Sequence, residues 1–163
     1  MLKFFLFVKN PYMKKLIAFI FILVCFCMLG FYKTENNPLL ACENVEKVCF
    51  VSDSKIEDME NVLCGDMVFN YCTLDQANEK IEQLKNDLKG IEFYIKETSF
   101  QNLCEILDVE IISESKLEEF SVYCCYTPYG EKSVEINGKK INLQVAVYED
   151  MIIAGFPMLL TGF

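Results

Sequence analysis

Histidine, arginine and tryptophan are missing altogether from this 163-residue chain. Without histidine there is no Ser/His/Asp or Cys/His nucleophile pair, and a zinc site would lack its nitrogen ligands. With only seven glycines, the chain also has no G-x-S-x-G elbow and no phosphate-binding glycine loop. A Ser/Lys pair remains formally possible. Glu118 and Glu119 are adjacent, so on extended backbone they diverge instead of converging on a substrate. The expectation is a protein that is not an enzyme, with no catalytic residues, no metal and no cofactor.

Positive charge is scarce as well. All fifteen basic residues are Lys, and from Lys33 onward 24 acidic residues face 11 lysines, a net charge of −13. Binders of duplex nucleic acid need clustered cations to replace the counterions condensed on phosphate. Nucleic acid is therefore not the expected partner, and Lys139-Lys140 beside a turn reads as solvated surface. The enrichment in Lys, Asn, Ile and Phe is that of an AT-rich genome.

One long apolar run is present. Leu16 to Tyr32 reads LIAFIFILVCFCMLGFY, with Lys14-Lys15 before it and Lys33 after it. Seventeen uncharged residues are at the short end of what crosses a bilayer core of roughly 30 Å, and in lipid such a segment must be helical. The lysines on its N-terminal side place residues 1–15 in the cytoplasm and the remainder outside. A cleaved secretory signal is the competing reading, but no A-x-A pattern follows Gly30. Met13-Lys14-Lys15 resembles a natural signal start, which makes Met13 an alternative first residue. Leu39-Leu40-Ala41-Cys42 has the letters of a lipoprotein box, yet it lies beyond the polar Lys33–Asn37 stretch instead of closing the apolar run. Residues 33–41 read as a linker, with Pro38 preventing helix continuation, and residues 42–163 as the extracytoplasmic domain. The expected location is the cell membrane, with a single pass.

Nine cysteines are spread along the chain, seven of them after the apolar run. No C-x-x-C occurs, so neither a thioredoxin-like site nor a zinc ribbon is indicated. Most sit in apolar surroundings, as in Val48-Cys49-Phe50-Val51, where a thiol behaves as a small buried hydrophobe. Cys124 and Cys125 on one strand would point to opposite faces.

Periodicity in the folded part predicts an α+β domain. Glu46 to Val51 is a strand. Ser54-Lys55-Ile56-Glu57 has the form of a capping box, and Ile56, Met59, Val62 and Leu63 make an apolar stripe for a helix, with Glu57, Asp58 and Glu60 on its solvated side. Met67 to Cys72 is a second strand. Thr73-Leu74-Asp75-Gln76 repeats the capping pattern, and Leu74, Ala77, Ile81, Leu84 and Leu88 mark a helix that Gly90 would end. A strand over Ile91 to Thr98, a short helix over Ser99 to Leu107, and strands over Val109 to Ile112 and Phe120 to Tyr126 follow. Asn137-Gly138 predicts a type I′ hairpin joining Val134-Glu135-Ile136 to Lys139–Val147. There Ile141, Leu143, Val145 and Val147 share one face, and Lys140, Asn142 and Gln144 the other. Met151 to Phe156 is the last strand, with Pro157 tolerated at its end. The apolar residues from Gly155 onward are expected to pack on the domain or on a partner.

Three blocks carry a family resemblance: Tyr126-Thr127-Pro128-Tyr129, then Asn137 to Val147 (NGKKINLQVAV), then Ile153 to Leu160 (IAGFPMLL). In order and spacing they resemble the C-terminal end of the YwmB family of Firmicutes, over roughly residues 101–163. The resemblance implies a signal-like N-terminus and an extracytoplasmic domain of TATA-box-binding-protein-like fold, with helices packed on a curved antiparallel sheet and no assigned activity. The turn Tyr148-Glu149-Asp150 is shorter than the Arg-containing connection usual in that family.

These readings converge on a binding or interaction module tethered to the membrane, its partner a protein or a component of the cell envelope, with an envelope- or sporulation-related role. Tyr123, Tyr126 and Tyr129 are the candidate binding surface, on a sheet face left open by helices covering the other; against this, each tyrosine also suits core packing. The alternatives are a thiol-based redox protein and a cleaved, secreted protein.

Overall fold

The computed structural model describes residues 37–84 and 86–160. They belong to a compact unit spanning Asn36–Phe163. The segment at 16–32 lies outside the described residues, and among the latter no helix is long and apolar enough to cross a membrane.

The chain enters through a 3-10 turn, Pro38–Ala41, capped by the Asn37 side chain, which accepts from the Leu39 amide at 3.0 Å. Leu39 is fully buried in the main core. Part of the stretch read as linker thus packs into the folded unit. Strands β1 (Val45–Ser52), β2 (Glu60–Cys64) and β3 (Met67–Cys72) follow, then helix α1 (Leu74–Leu84) and β4 (Leu88–Ile95). Helix α2 (Phe100–Ile106) leads into β5 (Glu110–Lys116), β6 (Ser121–Tyr126), β7 (Val134–Ile136), β8 (Lys139–Ile141), β9 (Leu143–Val147) and β10 (Ile152–Phe156).

Eight strands form one antiparallel sheet in the order β2-β3-β1-β4-β10-β9-β6-β5, while β7 and β8 make a separate hairpin. The α+β class is as expected. Strand alternation sorts side chains onto two faces. Val48, Phe50, Phe93, Ile95, Leu143, Val145 and Ala154 point to the helix side, where they meet Ala77, Leu103 and Leu107 in the main core. Leu74, Ile81 and Leu84 complete the buried stripe of α1, and Phe100 that of α2.

Both helix starts follow their local chemistry. Thr73 and Gln76 bond reciprocally, the Thr73 amide to Gln76 Oε1 at 3.0 Å and the Gln76 amide to Thr73 Oγ1 at 3.4 Å. Ser99 Oγ accepts from the Asn102 amide at 3.1 Å. Such caps contribute about 1 kcal/mol each. The Asn137-Gly138 turn also forms as expected, with φ of 53° and 75°.

Three expectations are corrected. The helix proposed from Ser54 does not form. Asn70, buried on β3, takes the Ile56 amide at 2.8 Å and donates to Phe50 O, Val68 O and Ser52 Oγ, so the segment is held as a loop. Asp58 then adopts φ 63° and the chain turns into β2. Gly90 does not end α1, which stops at Leu84, because Leu88 and Gly90 pair with β1 as part of β4. Finally, the strand expected from Lys139 to Val147 breaks at Asn142, which is buried instead of lying on a polar face. Its Oδ1 accepts from the Thr127 amide at 2.8 Å, and its Nδ2 donates to Thr127 O at 2.6 Å and Gly130 O at 3.0 Å. A single amide thereby closes the Pro128 loop, which the Thr127 hydroxyl also ties to Leu107 O.

Candidate functional site

The sheet face away from the helices is not fully open. After β10 the chain runs back over it, and the backbone amides of Leu159 and Leu160 donate to Gln144 Oε1 at 3.2 Å and Glu92 Oε1 at 2.6 Å. Glu92 is fully buried at the middle of β4, where its other carboxylate oxygen also accepts from the Tyr94 hydroxyl at 3.2 Å. A buried carboxylate needs such donors to offset lost hydration. Gly90 and Gly155 let the returning chain approach. A Cβ at Gly155 would stand 2.7 Å from Met158 O and 2.8 Å from Leu159 N, and one at Gly90 2.9 Å from Leu160 Cδ1. The apolar C-terminal residues thus pack on the domain through Leu159 and Leu160, as their composition predicts.

The three tyrosines singled out from the sequence do not form one patch. Tyr123 lies on the helix side, stacked on Phe100 with centroids 4.1 Å apart, and its hydroxyl donates to Glu114 Oε1 at 3.3 Å. Tyr129, in the loop after β6, packs against the same main core. Tyr126 falls on the opposite face by strand alternation, with the Lys140 ammonium 5.6 Å from its ring centroid. Each is only partly exposed.

Exposed apolar surface gathers elsewhere, at the edge strand β2. Leu63 is 70% and Val62 47% exposed, and Cys64 beside them is exposed too. Val62 pairs with Phe69 and Leu63 with Val68 on β3, so the two side chains emerge on opposite faces of the sheet. Tyr71, opposite Glu60, carries Lys47 over its ring at 3.8 Å. The other edge, β5, also exposes Ile111, but Glu110, Glu114 and Lys116 lie along it and a register irregularity falls between Ile111 and Ser113. Charges and bulges are the usual protection of a free edge. After Glu60, the β2 strand has neither.

The sequence held a signal for this edge. Gly65-Asp66 between two apolar runs is a two-residue hairpin turn, and Gly65 has φ 62° there.

Three buried cysteines, Cys49, Cys72 and Cys125, are chemically quiet in this setting. All seven in the described residues are free. Burial pushes Cys72 up to about 11. Burial, with Cys104 and Cys124 adding to it, pushes Cys125 up to about 12. Burial, then Glu92, pushes Cys49 up likewise. Since the thiolate is the reactive species, this disfavours redox or nucleophilic use of these three. Cys124 and Cys125 point to opposite faces, as expected: Cys125 joins the main core, while Gln144 Nε2 lies 3.7 Å from Cys124 Sγ.

Two consequences follow from the burial. A thiol reagent at neutral pH modifies Cys64 first in the folded chain, and Cys49, Cys72 and Cys125 only on unfolding. For stability the sign is fixed by raised pKa values in the fold: the contribution is intact below the ordinary thiol value near 9 and is lost as pH rises through 11 to 12. The urea midpoint should therefore be lower at pH 10.5 than at pH 8.

Among the described residues no group of three or more Cys, Asp or Glu side chains is placed to hold a metal ion. Comparison with protein-family models, with curated proteins and with solved structures found no match for this chain.

Proposed function

We propose that this protein is a membrane-tethered interaction module: the apolar segment 16–32 anchors it, and the folded unit outside the membrane engages a protein partner through the β2 edge. The observation that carries the interaction reading is the exposure of Val62 and Leu63 on opposite faces of one unprotected strand. An extended partner segment adds to such an edge through main-chain hydrogen bonds, and side chains on both faces give specificity. The anchor reading is supported by seventeen uncharged residues between Lys14-Lys15 and Lys33.

Membership of the YwmB family is part of the same proposal, as is the curved TATA-box-binding-protein-like form of the sheet. The blocks that carry the resemblance fall on the Thr127–Gly130 loop, on β8 and β9, and on β10 with its return across the sheet. A single antiparallel sheet with both helices on one side agrees with that fold. The reading is of a non-catalytic protein, because the chain lacks histidine and the nucleophile and phosphate-loop motifs that such chemistry uses. An envelope-related role draws on the resemblance alone.

Alkaline carbonate extraction of membranes from cells expressing the full-length chain tests the anchor. The protein should remain in the membrane pellet. Release into the supernatant would overturn the reading.

A further inference from the structure

We propose that Cys104 and Cys125 form an oxidisable pair: exchange with a low-molecular-weight disulfide joins them in one intrachain S–S bond that ties helix α2 to strand β6. The pair is independent of the β2 edge and of the anchor.

Its placement follows from how α2 lies on the sheet, because both ends of the helix are fixed against β6. At the start, the Phe100 ring stacks on Tyr123 with centroids 4.1 Å apart. At the end, Leu107 O accepts from the Thr127 hydroxyl. The helix therefore runs parallel to β6, from the level of Tyr123 to that of Thr127. Phe100, Leu103, Cys104 and Leu107 have the i, i+3, i+4, i+7 spacing of one helix face, and Leu103 and Leu107 are buried on it. Cys104 lies one turn beyond Phe100, about 6 Å along the axis. Cys125 lies two residues beyond Tyr123 on the same, helix-facing side of β6, about 6.8 Å along the strand. The two advances nearly match, so Cys104 comes level with Cys125.

Cys124 is not the partner, since it points to the other face of the sheet, where Gln144 Nε2 lies 3.7 Å from its sulfur. Burial raises the Cys125 thiol most, and after burial Cys104 raises it more than the adjacent Cys124 does. Proximity of the Cys104 and Cys125 sulfurs across the helix–sheet interface produces that order.

The burial that keeps outside reagents from Cys125 does not protect it from a neighbour. Cys104 is half-buried and is the thiol that an oxidant meets. Burial, then Glu105, holds it above the ordinary thiol range, so its attack quickens as pH rises. The Cys104 thiolate attacks one sulfur of the small disulfide and expels the other half as a thiolate, leaving a mixed disulfide. Cys125 then gives its proton to solvent, and its sulfur attacks the Cys104 sulfur and expels the second half. Two protein thiols lose two protons and two electrons, and the reagent becomes two small thiols. Being intramolecular, the second step tolerates the small thiolate fraction of Cys125. The closed bond restricts the unfolded chain and so stabilises the fold.

The test incubates the full-length chain, folded in detergent, with oxidised glutathione at mildly alkaline pH. Remaining thiols are alkylated, and the non-reduced tryptic peptides are read by mass spectrometry. Cleavage after Lys96, Lys116 and Lys132 separates Cys104 from Cys124 and Cys125. The expected result is a reductant-sensitive link between peptides 97–116 and 117–132, several-fold more abundant than any other disulfide, kept in Cys124→Ser and lost in Cys104→Ser. In urea the preference should disappear, because the match of α2 with β6 is gone. Glutathione on Cys64 without the link would overturn the pair, as would loss of the link in Cys124→Ser. A link equally selective in urea would overturn its origin in the fold. The linked chain should also unfold at higher urea than the reduced one, and an unchanged midpoint would contradict the tie between α2 and β6.

Discussion

Replacing Gly155 by Ala should destabilise the domain by about 3 kcal/mol, against the usual sign of the change, since Ala in a strand is ordinarily the better residue by roughly 0.5–1 kcal/mol. The cause is contact with backbone and not with a movable side-chain tip: the new Cβ would stand 2.7 Å from Met158 O and 2.8 Å from Leu159 N. To admit it the returning chain must lift, exposing Leu159 and removing the Leu160 amide from the Glu92 carboxylate. Leaving a buried polar group without its partner costs about 1–3 kcal/mol, and the lost apolar burial adds to it. Gly90→Ala should cost less, because its closest contact is Leu160 Cδ1 at 2.9 Å, a side-chain end that can rotate, although Phe156 O at 3.0 Å preserves the sign. Urea denaturation midpoints of the two variants check the order. A stabilised Gly155→Ala chain would mean that residues 157–160 do not lie across β10.

Asn142→Leu should have a comparable or larger effect, about 3–5 kcal/mol, through a different physical route. The side chain is almost wholly buried and serves the Thr127 amide and the carbonyls of Thr127 and Gly130 at once. Leucine keeps the volume but leaves those three backbone groups without the amide, and each buried polar group left unsatisfied costs about 1–3 kcal/mol. Local relaxation of the Pro128 loop returns part of this by letting water in. A thermal midpoint about 10–20 °C lower is the expected readout for a domain of this size, whereas a change under about 3 °C would show that the loop is not held by this residue.

Those two positions mark where the sequence was silent. Elements set by local chemistry could be read in advance: α1 from its Thr73-Gln76 cap and apolar stripe, α2 from Ser99, the hairpin from Asn137-Gly138, and β1, β3, β6 and β10 from their apolar runs. The failures share one cause, which is a contact made by a residue distant in the chain. Ser54-Lys55-Ile56-Glu57 had every local feature of a helix start, but Asn70 captures the Ile56 amide from fourteen residues away. Gly90 looked like a helix terminator because Leu160, whose packing requires a small residue there, is seventy residues on. Asn142 fitted a solvated face because alternation says nothing about a loop that folds over that face.

The three tyrosines are separated in the fold for the same reason. The tyrosines drew attention by composition, yet α2 supplies Phe100 to stack on Tyr123, and the main core takes up Tyr129. Val62 and Leu63 were assigned to the buried stripe of a helix that does not form, and in the structure they are the exposed apolar residues of an open edge. Once the strand is known, its hairpin fixes which amides point outward.

Orientation of the folded unit tests the central claim most directly, because a module whose partner contacts are made outside the cell must first be exported there. A protease-cleavable tag placed after Phe163 of the full-length chain, probed with added protease in intact cells, should be removed while a cytoplasmic marker survives. A tag that is cut only after the membrane is permeabilised would contradict the account.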